Sequence, residues 1–178
     1  MNIMLIGYRC SGKTAVGKIL ARRLGRDFLD TDRLLEEETG SSIESLILSK
    51  GWGHFREMEK LVIGKATKND NLVIATGGGV VMDQENVNIL KRNGWIVWLK
   101  ANAGIIKDRM RKEQKSGIIR PSLTGSDPLE EVEDVLNLRT AFYEKAGDLG
   151  VDTSTHSPQE VADLILKSLP LKLNRKDE

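Results

Sequence analysis

The residues best equipped for chemistry lie near the start of the chain, where Gly7-Tyr8-Arg9-Cys10-Ser11-Gly12-Lys13-Thr14 satisfies G-x-x-x-x-G-K-[ST] at every defined position. This is the pattern of a loop that cradles phosphate. Gly7 and Gly12 reach backbone conformations closed to other residues, so successive N–H groups can turn inward around phosphate oxygens. Lys13 adds a mobile cation, and Thr14 offers a hydroxyl where a nucleotide-bound Mg²⁺ takes a ligand. A helix opening here presents its unpaired N–H groups and positive dipole end to the same anion. The plain alternative is a glycine turn between a strand and a helix. Strand-like Asn2 to Ile6 before the loop and helical spacing from Thr14 to Leu24 after it favour the phosphate reading.

A second group of residues could hold what receives the phosphoryl group. Asp30-Thr31-Asp32 follows the short apolar pair Phe28-Leu29. Carboxylates two apart on a strand share a face and repel, an odd device for stability alone, which suits a metal and substrate site. The alternative is a helix cap, with Asp32 or Thr31 opening a helix over Arg33 to Glu38. Three glycines, Gly77-Gly78-Gly79, come straight after the apolar strand Asn71 to Ala75 and Thr76, as where backbone approaches a ligand closely. Arg56 and Glu59 share a helix face at i,i+3, either in a site or as an exposed ion pair. An acid pair, scattered arginines and an Arg-rich polar segment are equipment for a small hydroxylated anion. Arginine forks would take a carboxylate, an Asp a hydroxyl, and a lid would exclude water.

The hydrophobic pattern supplies the scaffold. The helix from Thr14 ends at Gly25, a natural C-terminal stop. Ser41-Ser42-Ile43-Glu44-Ser45 predicts a helix start with a capping box, Gly51-Trp52-Gly53 a turn, and His54 to Leu61 a further helix. Gln84 to Asn93 reads as a short helix, and Trp95 to Leu99 as a continuous apolar strand buried in a parallel sheet. Ala103 to Met110 is helical and leads into polar Arg111 to Gly117 and on to Leu123, a segment without apolar period that reads as a mobile loop. Leu129 to Ala146 is an amphipathic helix with Val132, Val135, Leu136, Leu138 and Phe142 as its apolar set, and Arg139 and Tyr143 one turn apart. Gly150 to Thr153 is a last strand, Ser157-Pro158 opens a final helix to Leu169, and Leu171 to Glu178 reads as a frayed tail. Strand and helix thus alternate about five times, predicting an α/β fold with a mostly parallel sheet, helices on both faces, and a ligand at the carboxyl ends of the strands.

The 178 residues suit a single domain, and 27 basic against 26 acidic side chains leave no net field to attract nucleic acid. Cys10 is the sole cysteine, so no intrachain disulfide can form; it is either a reactive thiol or a small loop filler. Neither a signal-like start nor a run of eighteen apolar residues occurs, which leads to the expectation of a soluble, cytoplasmic protein. A nucleotide switch or motor would end a further apolar strand in an acid, where Leu72 to Ala75 ends in Thr-Gly-Gly-Gly.

Taken together, Gly7 to Thr14, Asp30-Thr31-Asp32, Phe55-Arg56 with Glu59, Gly77-Gly78-Gly79, Arg120-Pro121, Leu138-Arg139 with Tyr143 and Ala146, and Val151-Asp152-Thr153 occur in an order and spacing that resembles the shikimate kinase family over nearly the whole chain. The resemblance implies a nucleoside-monophosphate-kinase-like fold, three-layer α/β/α with a five-stranded parallel sheet, in a single kinase domain over 1–178. It implies a substrate-binding segment at about Arg33 to Leu61 and a lid at about Lys112 to Ser126. The implied reaction is ATP-dependent phosphorylation of the 3-hydroxyl of shikimate, in aromatic amino acid (chorismate) biosynthesis, by a monomeric enzyme using Mg²⁺.

Carried over by position, Ser11, Gly12, Lys13, Thr14 and Ala15 would contact ATP, with Lys13 on the β- and γ-phosphates. Thr14 would bind Mg²⁺ and Asp30 a metal water. Asp32 would bind shikimate hydroxyls and orient or deprotonate the attacking one. Arg56 and Arg139 would clamp the carboxylate, Gly78 and Gly79 would add backbone N–H groups, and Arg120 would reach the transferring phosphate from the lid. The chain departs from the family pattern at Arg9 and Cys10, where small residues are common, at Trp52-Gly53-His54, and in a longer segment from Arg109 to Arg120, which leaves the adenine-side arginine open between Arg109 and Arg111. A gluconate-type sugar-acid kinase and a nucleotide-binding regulator without catalysis are the alternatives.

Overall fold

The structure, a computed structural model, describes residues 1–117 and 121–173. Five strands form one sheet: β1 (Asn2–Ile6), β2 (Asp27–Asp30), β3 (Leu72–Ala75), β4 (Gly94–Lys100) and β5 (Leu149–Asp152). Their order is β2-β3-β1-β4-β5, and every pairing is parallel. The helices are α1 (Lys13–Leu24), α2 (Thr31–Thr39), α3 (Ile43–Ala66), α4 (Gln84–Asn93), α5 (Ala103–Lys115), α6 (Val132–Ala146) and α7 (Pro158–Lys167), with 3₁₀ turns at Val80–Met82 and Leu171–Leu173.

Alternation along the central strands divides the core in two. Ile3 and Leu5 of β1, with Trp95, Val97 and Leu99 of β4, pack against α1 and α7. Met4, Ile6, Ile96 and Trp98 point the other way, onto α3, α4 and α6. Period two on strands buried on both faces gives the three-layer α/β/α arrangement expected from the sequence. Because all strands run the same way, the segments after β1, β2, β3 and β5 emerge along one edge of the sheet. Among the described residues no helix is long and apolar enough to cross a membrane.

Several local expectations change. The break expected at Gly51-Trp52-Gly53 narrows to one residue: Gly51, at φ 81° and ψ 169°, is non-helical and divides α3 into two helical stretches, and Trp52 and Gly53 already belong to the second. Ser42 does cap α3, accepting from Ser45 N, but the third helical position is Ser45, so no capping box closes. The polar stretch after Met110 stays helical to Lys115, since Arg, Lys, Glu and Gln are good helix formers and Ile106 and Met110 anchor the preceding turns. On α6 the buried face is Val132, Val135, Arg139, Tyr143 and Ala146, while Leu138 is 61% exposed and Phe142 40%. Of the tail expected to fray, Leu171–Leu173 form a 3₁₀ turn, Leu173 is buried in the α1–α7 core and its carbonyl accepts from Arg26, while residues 174–178 lie outside the described residues.

Candidate active site

The phosphate loop leaves β1 at Gly7 and re-enters regular structure at Lys13. Gly7 holds φ 145°, and a Cβ there would lie 2.5 Å from the carbonyl oxygen of Leu99, so both backbone angle and space demand glycine. Gly12, at φ 97°, caps α1 without a side chain, which leaves the first N–H groups of the helix directed at the loop. Lys13 Nζ donates to the carbonyls of Gly7 at 2.7 Å and Tyr8 at 2.8 Å, so the ammonium lies along the loop.

The two acids at the end of β2 differ from the strand-face picture. Asp30 is the last strand residue and also the N-cap of α2, accepting from Asp32 N at 3.2 Å, while Asp32 sits in the first helical turn. The carboxylates therefore diverge. Asp30 Oδ2 accepts from the Thr14 hydroxyl at 2.9 Å, which sets a carboxylate and a hydroxyl side by side at the start of α1. Such hard oxygen donors beside a phosphate loop fit Mg²⁺, which is held by one or two carboxylates plus substrate phosphates and keeps several waters.

The three glycines after β3 leave room for the groups that crowd them. A Cβ on Gly77 would lie 2.7 Å from Asp32 Oδ1 and 2.9 Å from Glu59 Oε1; on Gly79 it would lie 2.4 Å from Arg56 Nη2; on Gly78 it would meet the backbone of Arg9 at 3.3 Å. The glycines thus let an acid, a base and the phosphate loop converge on one turn.

Arg56 and Glu59, one turn apart on α3, form a 2.6 Å ion pair; Glu59 is buried, and burial pushes its carboxyl above the ordinary range against the pull of Arg56. Arg139 is buried on α6 and donates to the Gly78 carbonyl at 3.2 Å, beside the Tyr143 hydroxyl, which donates to the same oxygen. Burial pushes the Tyr143 phenol up to about 12, so it stays a donor.

Two cavities meet here. The smaller, about 400 Å³, is lined by Asp32, Arg56, Gly78, Gly79 and Arg139, with Trp52, Phe55 and Glu59 completing its wall. The larger, about 970 Å³, is lined by Ser11, Gly12, Lys13, Thr14, Ala15 and Asp30. Asp32 and Gly78 border both. Every expected site residue among those described therefore falls on one cavity or the other; Arg120 lies outside the described residues.

Some site residues carried no assignment in the sequence reading. Arg109 lines the larger cavity and donates to Cys10 O at 3.0 Å and Thr153 O at 2.6 Å, whereas Arg111 turns to Asp108 on the surface. Thr153 follows β5 and donates to Ser11 O at 3.1 Å. Its place just beyond a strand's carboxyl end was the available signal. Glu131, buried, accepts from Ser122, Leu123 and Thr124; burial alone would raise its pKa, but these hydrogen bonds hold the carboxyl below the usual range.

The chain resembles known proteins along its length. A family model described as shikimate kinase matches residues 9–170. The shikimate kinase of Symbiobacterium thermophilum is 41% identical over 169 residues, covering 95% of this chain and 96% of that protein. That of Syntrophus aciditrophicus is 41% identical over 174 residues, covering 93% and 89%. The solved structure of shikimate kinase from Acinetobacter baumannii in complex with shikimate superposes with a TM-score of 0.87 at 31% identity, covering 99% of this chain and 95% of that one. With the family model spanning most of the sequence and relatives above 40% identity over nearly all of it, this chain belongs to the shikimate kinase family.

Proposed function

We propose that this chain transfers the γ-phosphoryl group of ATP to the 3-hydroxyl of shikimate, giving shikimate 3-phosphate. The observation that carries this reading is the shared wall. Asp32 and Gly78 border both the cavity beside the phosphate loop and the one that ends at Arg56 and Arg139. A donor phosphate and an acceptor hydroxyl bound in the two would meet at Asp32.

In this reading the N–H groups from Ser11 to Ala15 receive the phosphates, with Lys13 balancing charge on the β- and γ-phosphates. Arg109, between the loop and Thr153, stands on the nucleotide side. Thr14 and Asp30 would hold Mg²⁺, which when bound neutralises charge on the phosphate oxygens. Arg56 and Arg139 fork the acceptor's carboxylate, and Glu59 keeps the Arg56 guanidinium oriented. The N–H groups of Gly78 and Gly79 add donors on the same side. Asp32 accepts a hydrogen bond from the attacking hydroxyl, fixes it toward the γ-phosphorus, and takes its proton as transfer proceeds. Arg120 would add positive charge to the transferring group. Both cavities are lined by residues of one chain, which supports a single kinase domain acting as a monomer, with the cytoplasm as its place of work.

ADP release measured with shikimate, with gluconate and with no acceptor tests the reading. Release that depends on shikimate supports it. Faster turnover of gluconate, or release independent of either acceptor, would overturn it.

A further inference from the structure

Phosphate binding accounts for most of the loop from Gly7 to Thr14, but not for Arg9, because a small residue there would leave the backbone equally able to cradle phosphate. The Arg9 side chain is only 11% exposed. Its Nη1 donates to the carbonyl of Pro121 at 2.7 Å, its Nη2 lies 3.9 Å from Glu131 Oε1, and its guanidinium carbon sits 5.8 Å from the centre of the Tyr8 ring. Each contact leads to the smaller cavity. Pro121 and Leu123 form part of its wall. Glu131 fixes that wall by accepting from Leu123 N and Thr124 N, both at 2.9 Å. The Tyr8 ring in turn lies 5.9 Å from the guanidinium carbon of Arg139, which lines the same cavity.

We infer that Arg9 is a positioning residue for the acceptor: it ties the phosphate loop to the Pro121–Glu131 segment and holds the ring beneath Arg139. This rests on the acceptor reading of the smaller cavity. A guanidinium drawn out of water is tolerated only where its hydrogen bonds and charge are met, so the Pro121 carbonyl and the Glu131 carboxylate define where it can sit. Without Arg9 that wall and Arg139 lose a common anchor. The acceptor cavity loosens while the backbone N–H groups that receive phosphate stay in place. Arg9 also borders the nucleotide cavity, which makes direct phosphate contact the competing role.

The test compares Arg9→Ala, Arg9→Lys, Glu131→Gln and the double variant Arg9→Ala/Glu131→Gln. Shikimate affinity is read from tryptophan fluorescence without nucleotide, since Trp52 lines the acceptor cavity beside Arg56, and KM for both substrates is measured alongside. Arg9→Ala should weaken shikimate about tenfold, the scale of one charge-assisted hydrogen bond, with ATP KM changed less than about threefold. Arg9→Lys should recover part of the loss. The double variant should be no worse than the weaker single one, since both break the same tie. A rise in ATP KM equal to or larger than the loss of shikimate affinity, or additive losses in the double variant, overturns the inference. Should Arg9→Ala fail to fold, Arg9→Lys alone decides, because one ammonium cannot serve Pro121 and Glu131 together; an unchanged shikimate affinity in it would be the refuting result. Wild-type protein that ignores shikimate altogether would remove the acceptor reading, whereas a responsive wild type with an unaffected Arg9→Ala would remove only the role of Arg9.

Discussion

Gly79→Ala should act as a remote lesion of Arg56. Gly79 has φ −100° and ψ −1°, a conformation open to alanine, so the substitution adds no backbone strain. The new Cβ would stand 2.4 Å from Nη2, 2.7 Å from Nη1 and 2.9 Å from Cζ of Arg56. To regain ordinary van der Waals contact the guanidinium must retreat by about 1 Å, and it can, being the far end of a flexible side chain. The fold survives, but the fork no longer meets a carboxylate squarely. Charge-assisted hydrogen bonds worth about 1.5–3 kcal/mol are at stake, which is roughly a 10- to 150-fold rise in shikimate KM. ATP KM should stay within about twofold, because the three atoms nearest the added methyl group all belong to Arg56. Steady-state kinetics with each substrate varied, together with a thermal melt, make the measurement. The melting temperature should fall by only a few degrees, about what 1 kcal/mol means for a chain this size. Unchanged shikimate KM, or parallel losses for ATP and shikimate, would refute the assignment of Arg56 to the acceptor.

Lys13→Ala should nearly abolish transfer while leaving the melt intact, since it removes a cation from a loop shaped by its glycines; unchanged kcat would take the loop out of the mechanism. Asp32→Asn should lower kcat by roughly 10²- to 10⁴-fold with a modest effect on shikimate binding, whereas Asp30→Asn should be partly rescued by added Mg²⁺. Rescue of Asp32→Asn and not of Asp30→Asn would mean that the two roles are reversed. The only tyrosines, Tyr8 and Tyr143, are buried, and burial pushes both phenols up, that of Tyr143 to about 12. Because a raised folded pKa adds stability that is full below the ordinary value of 10 and lost as pH climbs toward 12, tyrosinate absorbance should rise together with unfolding. A tyrosinate transition near pH 10 in still-folded protein would contradict this burial.

Elements governed by local rules were legible in the order of residues alone. Glycines at fixed spacing before Lys13-Thr14, the doubly buried apolar runs of β1 and β4, and Ser157-Pro158 opening α7 each follow from short-range sterics and hydrogen bonding, and each stands where expected. The order of motifs also carried the family, because spacing along the chain is a property of sequence. Where local signals competed, the structure decided. The acids after Leu29 could be a strand tip or a helix cap, and Asp30 became both, freeing Asp32 for the wall between the cavities. On α6, hydrophobicity pointed Leu138 and Phe142 inward, yet Arg139 and Tyr143 took the buried face, since the Gly78 carbonyl and the Trp98 ring await them there. A buried arginine is tolerated only with partners supplied by distant segments, and no local pattern records where those segments will meet. Arg56 held by Glu59 against Gly79, and Arg9 reaching Pro121 across 112 positions of sequence, are tertiary facts of this kind.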